Sequence, residues 1–219
     1  MARNKFDEQL ETLNEQLTEM GRLVNERLHD SVQAFLNRDM DTADFIRKND
    51  DDVNELEESI EEIAMRLILR QQPVAKDLRL ISSALKMITD LERIGDQAAN
   101  IAEITLNLSE KCEQKPLPEL VQMSSVASEM VNESIKSFTQ YDLSYVDKIK
   151  KSDDIVDQCF YDVKKKLIQE IKEDKAGPEI TLDYLLIAKY LERIGDHAEN
   201  IAEAVIYTIT GELFREENK

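Results

Sequence analysis

Residues 91–103 read LERIGDQAANIAE, and residues 191–203 read LERIGDHAENIAE. Eleven of the thirteen positions are identical, and the two substitutions are Gln97/His197 and Ala99/Glu199. A near-identical segment at an offset of 100 residues indicates two copies of one supersecondary unit, each about half of the chain.

The repeated segment has the hydrophobic periodicity of an amphipathic helix. Its apolar residues form one stripe at helical spacing: Leu91, Ile94, Ala98, Ile101 and Ala102. At roughly 100° per residue, the polar residues of the first copy fall within an arc of about 80°: Glu92, Asp96, Asn100 and Glu103. The second copy repeats this arc and adds Glu199. Gly95 and Gly195 lie between stripe and arc, so we expect another helix or a ligand to approach the backbone there.

Each copy also carries two carboxylates four residues apart, Glu92/Asp96 and Glu192/Asp196. Like charges at this spacing destabilise a helix by a few tenths of a kcal/mol, yet both copies have the pair. One interpretation is a solvated acidic face. The other is that a cation neutralises each pair.

The composition indicates an all-helical protein. The 219 residues include only five glycines and four prolines, and 34% of them are charged. The net charge of −18 argues against direct binding to nucleic acid and against adsorption on an anionic membrane. It suits the binding of cations or docking on a basic partner.

Two further observations favour a cytoplasmic location. No run of about 18 apolar residues is present, so no membrane insertion is predicted, and the N-terminal MARNKFDEQLETL lacks the apolar core of a signal peptide. Cys112 and Cys159 have no metal-type spacing, so we expect them to be small apolar residues in a reducing compartment.

Prolines and polar breaks divide the chain into six amphipathic segments. We predict helices over 5–37, 40–71, 75–111, 118–140, 142–174 and 179–213. The predicted fold is therefore all-α, with two pseudo-symmetric three-helix bundles built from six long antiparallel helices. The first repeat is assigned to residues 1–114 and the second to residues 117–219.

The middle helix of each half adds further acidic residues. On a helical wheel, Asp153 and Asp157 lie inside the apolar stripe of the fifth helix: Val146, Ile149, Val156, Phe160, Leu167 and Ile171. A carboxylate at a helix–helix seam is costly unless it is paired, caps a helix or binds a metal. The first half carries Asp50 and Asn54 at the matching positions, and Glu57 in place of Phe160.

If the middle and third helices pack side by side, these acidic pairs converge. The candidate metal ligands are Asp50, Glu92, Asp96, Asp153, Asp157, Glu192 and Asp196. Oxygen ligands suit magnesium, calcium, manganese or iron, whereas His197 would add a nitrogen and admit zinc or nickel. A lone histidine on a helix is more often a surface residue. The single Glu26/His29 motif is interpreted as coincidence, because a di-iron bundle needs two such motifs.

The repeated segment, the preceding QQPVAKDLR (71–79), NDDDVNELEE (49–58) and SDDIVDQ (152–158) resemble the PhoU family along essentially the whole chain. The resemblance implies two three-helix bundles, a homodimer and a cytoplasmic negative regulator of phosphate uptake and of the phosphate-starvation response. Its implied partners are the ATPase subunit of the phosphate ABC transporter and a sensor histidine kinase. It also implies multinuclear metal clusters on E/D-x-x-x-D motifs, here at Glu92/Asp96, Glu192/Asp196, Asp153/Asp157 and Asp50, whereas Asn54 departs from the motif.

Three functions remain open from the residues. A regulatory adaptor needs no catalysis, and no nucleophile elbow or phosphate-binding loop is visible, so an enzyme is not expected. A metal-free helical interaction scaffold is the second. A carboxylate-bridged metalloenzyme is the third, and would need two metal ions about 4 Å apart.

Overall fold

The computed structural model describes residues 2–49, 51–108, 116–175 and 177–212. These residues form seven α-helices and no strand: α1 (Ala2–Asn37), α2 (Met40–Lys48), α3 (Asp51–Gln71), α4 (Ala75–Asn107), α5 (Pro118–Gln140), α6 (Ser144–Lys172) and α7 (Pro178–Thr210). The prediction of an all-α doubled bundle is confirmed. Asp50 and Cys112 lie outside the described residues.

The second predicted helix, 40–71, is wrong as a single helix. It is two helices, because α2 ends at Lys48 and α3 begins at Asp51. Asn49 leaves the helical conformation with φ −115° and ψ 64°, and both its backbone N–H and its side-chain amide donate to the carbonyl of Phe45. The corresponding α6 of the second half runs unbroken from Ser144 to Lys172.

Two helices also end earlier than predicted. The helix predicted to reach residue 111 ends at Asn107, where Leu108 adopts an extended conformation. The last helix ends at Thr210 instead of residue 213, because Gly211 takes the left-handed conformation (φ 79°) that terminates helices.

The core is built from the apolar stripes of the helices. All five stripe residues of the first repeat copy, Leu91, Ile94, Ala98, Ile101 and Ala102, are buried. Helix α4 packs on α1, α2 and α3, and α7 packs on α5 and α6. Each repeated segment therefore lies on the central helix of its own half.

The two halves share their apolar interior. Helix α4 packs against α7, and α1 packs against α5. Phe35 of α1 and Tyr184 of α7 meet edge to face with ring centroids 5.6 Å apart, and Tyr184 is 1% exposed. One continuous apolar cluster therefore crosses from the first half to the second.

Candidate metal centre

In the second half, carboxylates of helices α6 and α7 lie close enough for their charges to act on one another. We call Asp153 and Asp157 of α6 with Glu192, Asp196 and Glu199 of α7 the second acidic cluster. The contact point is Gly195, where an added β-carbon would lie 3.3 Å from Asp153 Oδ1. Glycine therefore permits the close approach that was predicted for this position.

Burial and mutual repulsion control the charge of Asp153. Desolvation first, and then the negative charges of Glu199, Asp157 and Asp196, raise the pKa of Asp153 from its ordinary 3.8 to about 7. Partial desolvation and the charge of Glu192 also raise the pKa of Asp196, against the opposing effect of Lys189. A cation entering the second acidic cluster would relieve this repulsion.

Two expectations for α6 are wrong. Asp157 is exposed instead of lying inside the apolar stripe, although its charge still acts on Asp153 and Asp196. Ile171 is also exposed, because the last turn of α6 extends beyond Leu167, the last buried apolar residue of that helix.

One cationic partner of the second acidic cluster lies on α7 itself. Lys189 forms an ion pair with Glu192, three residues further on. The Lys189 ammonium also lies 5.5 Å from the centroid of the Phe160 ring. Lys189 is therefore one cation that contacts the cluster.

His197 of α7 contacts α4, whereas the second acidic cluster is formed by α6 and α7. Its Nδ1 lies 2.9 Å from Oδ1 of Asp90 on α4, and Asn200 donates to the same oxygen at 3.3 Å. Asp90 is 7% exposed, so this contact is part of the interface between the halves. The sequence did contain one signal for this contact, because His197 replaces Gln97 within a nearly identical repeat. The sequence interpretation missed Asp90 because its counterpart in the second half is Tyr190.

In the first half, one arginine already pairs with both carboxylates of the motif. Arg93 lies 3.3 Å from Glu92 Oε2 and donates to Asp96 Oδ2 at 3.0 Å. Glu57 of α3 is close to this group. Desolvation, with the charges of Glu61 and Asp96, raises its pKa, and Arg93 acts against this rise. Asn54 is exposed, and its predicted partner Asp50 lies outside the described residues.

The carboxylates are not arranged as a complete ligand set. Across the described residues, no three His, Cys, Asp or Glu side chains are placed to hold a metal ion together. The donors of the second acidic cluster are nevertheless all carboxylate oxygens, the type of ligand that hard cations prefer.

Other sequence features take structural roles. Cys159 is a buried free thiol, and burial raises its pKa. Glu26 and His29 are both exposed on α1, where Glu26 pairs with Arg22. In the QQPVAKDLR segment, Lys76 is exposed, whereas the guanidinium of Arg79 lies beside Gly211, just beyond the end of α7.

The doubled architecture has a counterpart among known families. A family model described as the PhoU domain matches twice, over residues 17–105 and 120–205. This chain belongs to the PhoU family. One PhoU match falls in each predicted half, and between them they contain both copies of the repeated segment.

Individual PhoU proteins are similar over nearly the full chain. A "Phosphate-specific transport system accessory protein PhoU homolog" from a Burkholderia species is 37% identical and covers 95% of this chain and 90% of its own length. The crystal structure of PhoU from Pseudomonas aeruginosa has a TM-score of 0.90 at 36% identity, covering 94% of this chain and 100% of that one. The structure of the phosphate transport system regulatory protein PhoU from Streptococcus pneumoniae has a TM-score of 0.89 at 31% identity, covering 96% and 99%.

Among the described residues, no helix is both long enough and apolar enough to cross a bilayer.

Proposed function

We propose that this chain is a cytoplasmic, non-catalytic negative regulator of phosphate uptake and of the phosphate-starvation response. It acts as an adaptor between the ATPase subunit of a phosphate ABC transporter and a sensor histidine kinase. The observation that carries the proposal is the full-length match to PhoU proteins named as accessory or regulatory proteins of phosphate transport. The acidic surface supports it, because a net charge of −18 favours basic partner surfaces.

Metal binding at the E/D-x-x-x-D motifs is part of this proposal. In the second half, Asp153, Asp157, Glu192 and Asp196 would hold the ion, with Glu199 beside them. A bound divalent or trivalent ion supplies positive charge and open coordination positions for a partner or anion. Iron, zinc, manganese, nickel and magnesium are the candidates, and the oxygen donors favour the harder ions among them.

The adaptor role is tested with purified partners and in cells. We expect the chain to bind the transporter ATPase subunit and the cytoplasmic region of the kinase. We also expect it to restore repression of a starvation reporter at high phosphate in a bacterium lacking its own PhoU gene. A chain that folds, binds neither partner and leaves the reporter active would contradict the proposal.

A homodimer is the proposed assembly. Analytical ultracentrifugation should give about twice the 25.3 kDa chain mass at micromolar concentration. A sedimentation coefficient of a monomer at every concentration, with and without added metal, would reject the dimer and leave the adaptor role in place.

A metal-free helical scaffold is the competing function. It is favoured by the absence, among the described residues, of three ligand side chains already placed around one point. The two functions differ in one measurement. Chelation should weaken binding to the partners if the metal-dependent adaptor is correct, and should leave binding unchanged for the scaffold.

A further inference from the structure

Two neighbours of each central glycine match between the halves, and at one of them the first half has an arginine where the second half has a methionine. In the second half, an added β-carbon at Gly195 would meet Met130 Cε at 3.5 Å and Val156 Cγ1 at 3.6 Å. In the first half, the β-carbon of Gly95 would meet Val53 Cγ1 at 3.8 Å and Arg27 Nη1 at 4.0 Å. Val53 and Val156 match at the 103-residue offset, and so do Arg27 and Met130.

The same offset matches the helices that carry Arg27 and Met130. Ser31 of α1 and Ser134 of α5 are both fully buried and donate to the carbonyl three residues before them. Phe35 and Phe138 follow at the same spacing and are both buried. Arg27 therefore occupies the structural position that methionine occupies in the second half.

Arg27 is a buried cation with specific partners. Its side chain is 8% exposed. The Nη2 group donates to the carboxylate of Asp52 and to the backbone carbonyl of Asn49, while Nη1 lies beside Gly95. One guanidinium thus joins α1, the junction of α2 and α3, and the repeated segment on α4.

The interrupted helix is part of this arrangement. Because α2 ends at Lys48, the Asn49 carbonyl lies at the negative end of α2, without a helical partner on its C-terminal side. The guanidinium of Arg27 satisfies that carbonyl. The second half has an unbroken α6 and a methionine at the matching position, so the break and the arginine occur together.

The remaining acids of the first half have their own cation as well. Arg93 contacts both Glu92 and Asp96, whereas Arg193 at the matching position forms no ion pair within the described part of the chain. The first half also has Asn54 where the second has Asp157, and Ala99 where the second has Glu199. Among the described residues, a guanidinium therefore lies beside Gly95, whereas the carboxylate of Asp153 lies beside Gly195.

We propose that the guanidinium of Arg27 is the built-in cation of the first repeat, and that metal ions enter only the second acidic cluster. This inference rests on the metal-binding part of the proposed function. The chain would then carry one metal centre in an architecture with two repeats. The first repeat would instead be held together permanently by arginine.

The test measures Mn²⁺ bound per chain after chelation, reloading with MnCl₂ and desalting, by elemental analysis. We compare the full-length wild type with three variants: Glu92→Gln/Asp96→Asn, Glu192→Gln/Asp196→Asn and Arg27→Met, the last being the residue of the second half. We expect the first variant to match the wild type, the second to lose its Mn²⁺, and Arg27→Met to gain Mn²⁺. Loss of Mn²⁺ in the first variant would overturn the inference while leaving the proposed metal binding intact.

A second measurement tests the role of Arg27 in the absence of metal. In chelator, Arg27→Met should lower the midpoint of thermal unfolding and increase amide exchange at the junction of α2 and α3. Arg27→Lys should retain part of the stability, and Met130→Leu serves as the matched control in the second half. No Mn²⁺ in the wild type would reject both the metal-binding proposal and the single-centre assignment. An unchanged midpoint and unchanged exchange in Arg27→Met would reject the role of the guanidinium.

Discussion

The sequence predicts the positions and contacts of some single residues much better than those of others. Asp153 was predicted at a helix seam, and the structure places it beside Gly195. Asp157 was predicted at the same seam, but its carboxylate, one turn further along α6, is exposed. A helical wheel predicts the direction in which a side chain points, but it does not predict where the neighbouring helix stops covering it. The contact of His197 with Asp90 depends on two different repeats, so no local pattern could indicate it.

Asp153 makes the stability of the metal-free protein pH-dependent. Its pKa in the folded state is about 7, above the ordinary 3.8, so folding favours the protonated form. This contribution to stability is complete below about pH 4 and is lost as the pH rises through 7. We expect Asp153→Asn to raise the free energy of unfolding at pH 8 by about 1–2 kcal/mol, with little change at pH 4. Urea unfolding in the presence of chelator at pH 4 and at pH 8 measures this free energy.

The control for this experiment is Asp154→Asn, the exposed neighbour on the same helix. Of the four negative charges that raise the pKa of Asp153, that of Asp154 has the smallest effect, so the change in stability at pH 8 should be small. Equal stabilisation by the two variants would show that general relief of negative charge, and not the burial of Asp153, is responsible.

His197 stabilises the contact between halves through Asp90. Among the described residues, replacing His197 with leucine leaves the buried carboxylate of Asp90 with only the 3.3 Å hydrogen bond from Asn200. We expect the free energy of unfolding to fall by about 1–3 kcal/mol, and His197→Gln to recover part of it by donating a hydrogen bond. Gln97→Leu is the matched control, because Oε1 of Gln97 has no hydrogen-bond partner within the described residues. A loss in Gln97→Leu as large as in His197→Leu would contradict the assignment.

At the scale of helices, the sequence predicts well that a helix is present. It predicts poorly where a helix is interrupted. The apolar periodicity over 40–71 continues through Asn49, so it indicates one long helix. The signal for the break was the run of Asn49 and the three following aspartates, residues that favour caps over helix interiors. What decides the break is tertiary, because Arg27 of another helix binds the carbonyl that the break exposes.

The two central glycines allow a matched test of helix approach. Among the described residues, alanine at Gly95 would meet no atom closer than 3.8 Å, so its higher helix propensity should stabilise the protein by about 0.5–1 kcal/mol. Alanine at Gly195 would meet Asp153 Oδ1 at 3.3 Å and must displace that carboxylate. We therefore expect Gly195→Ala to gain less stability or to lose it. Chemical denaturation in chelator compares them, and equal gains would show that α6 does not closely approach α7 at Gly195.

For the whole molecule, the sequence predicts two repeats but not how completely they merge. The boundaries at 1–114 and 117–219 stay predictions, whereas the apolar cluster runs through α4 and α7 without interruption. The reason is that both repeated segments are buried on more than one side. Ala98, Ala102, Ala198 and Ala202 are all fully buried, and such small side chains allow helices to pack closely.

The continuous core predicts that both halves unfold together. Tyr184 of the second half is buried against Phe35 of the first, so Tyr184→Ala should cost about 3–5 kcal/mol, as for other large aromatic truncations. Because the lost contacts belong to both halves, amide exchange should accelerate in α1 as well as in α6, and urea unfolding should remain one transition. Phe138→Ala, a buried phenylalanine on α5 at the position matching Phe35, is the comparison for a large truncation elsewhere in the core. Faster exchange confined to the second half in Tyr184→Ala, or two separate transitions, would show that the repeats fold independently despite their common core.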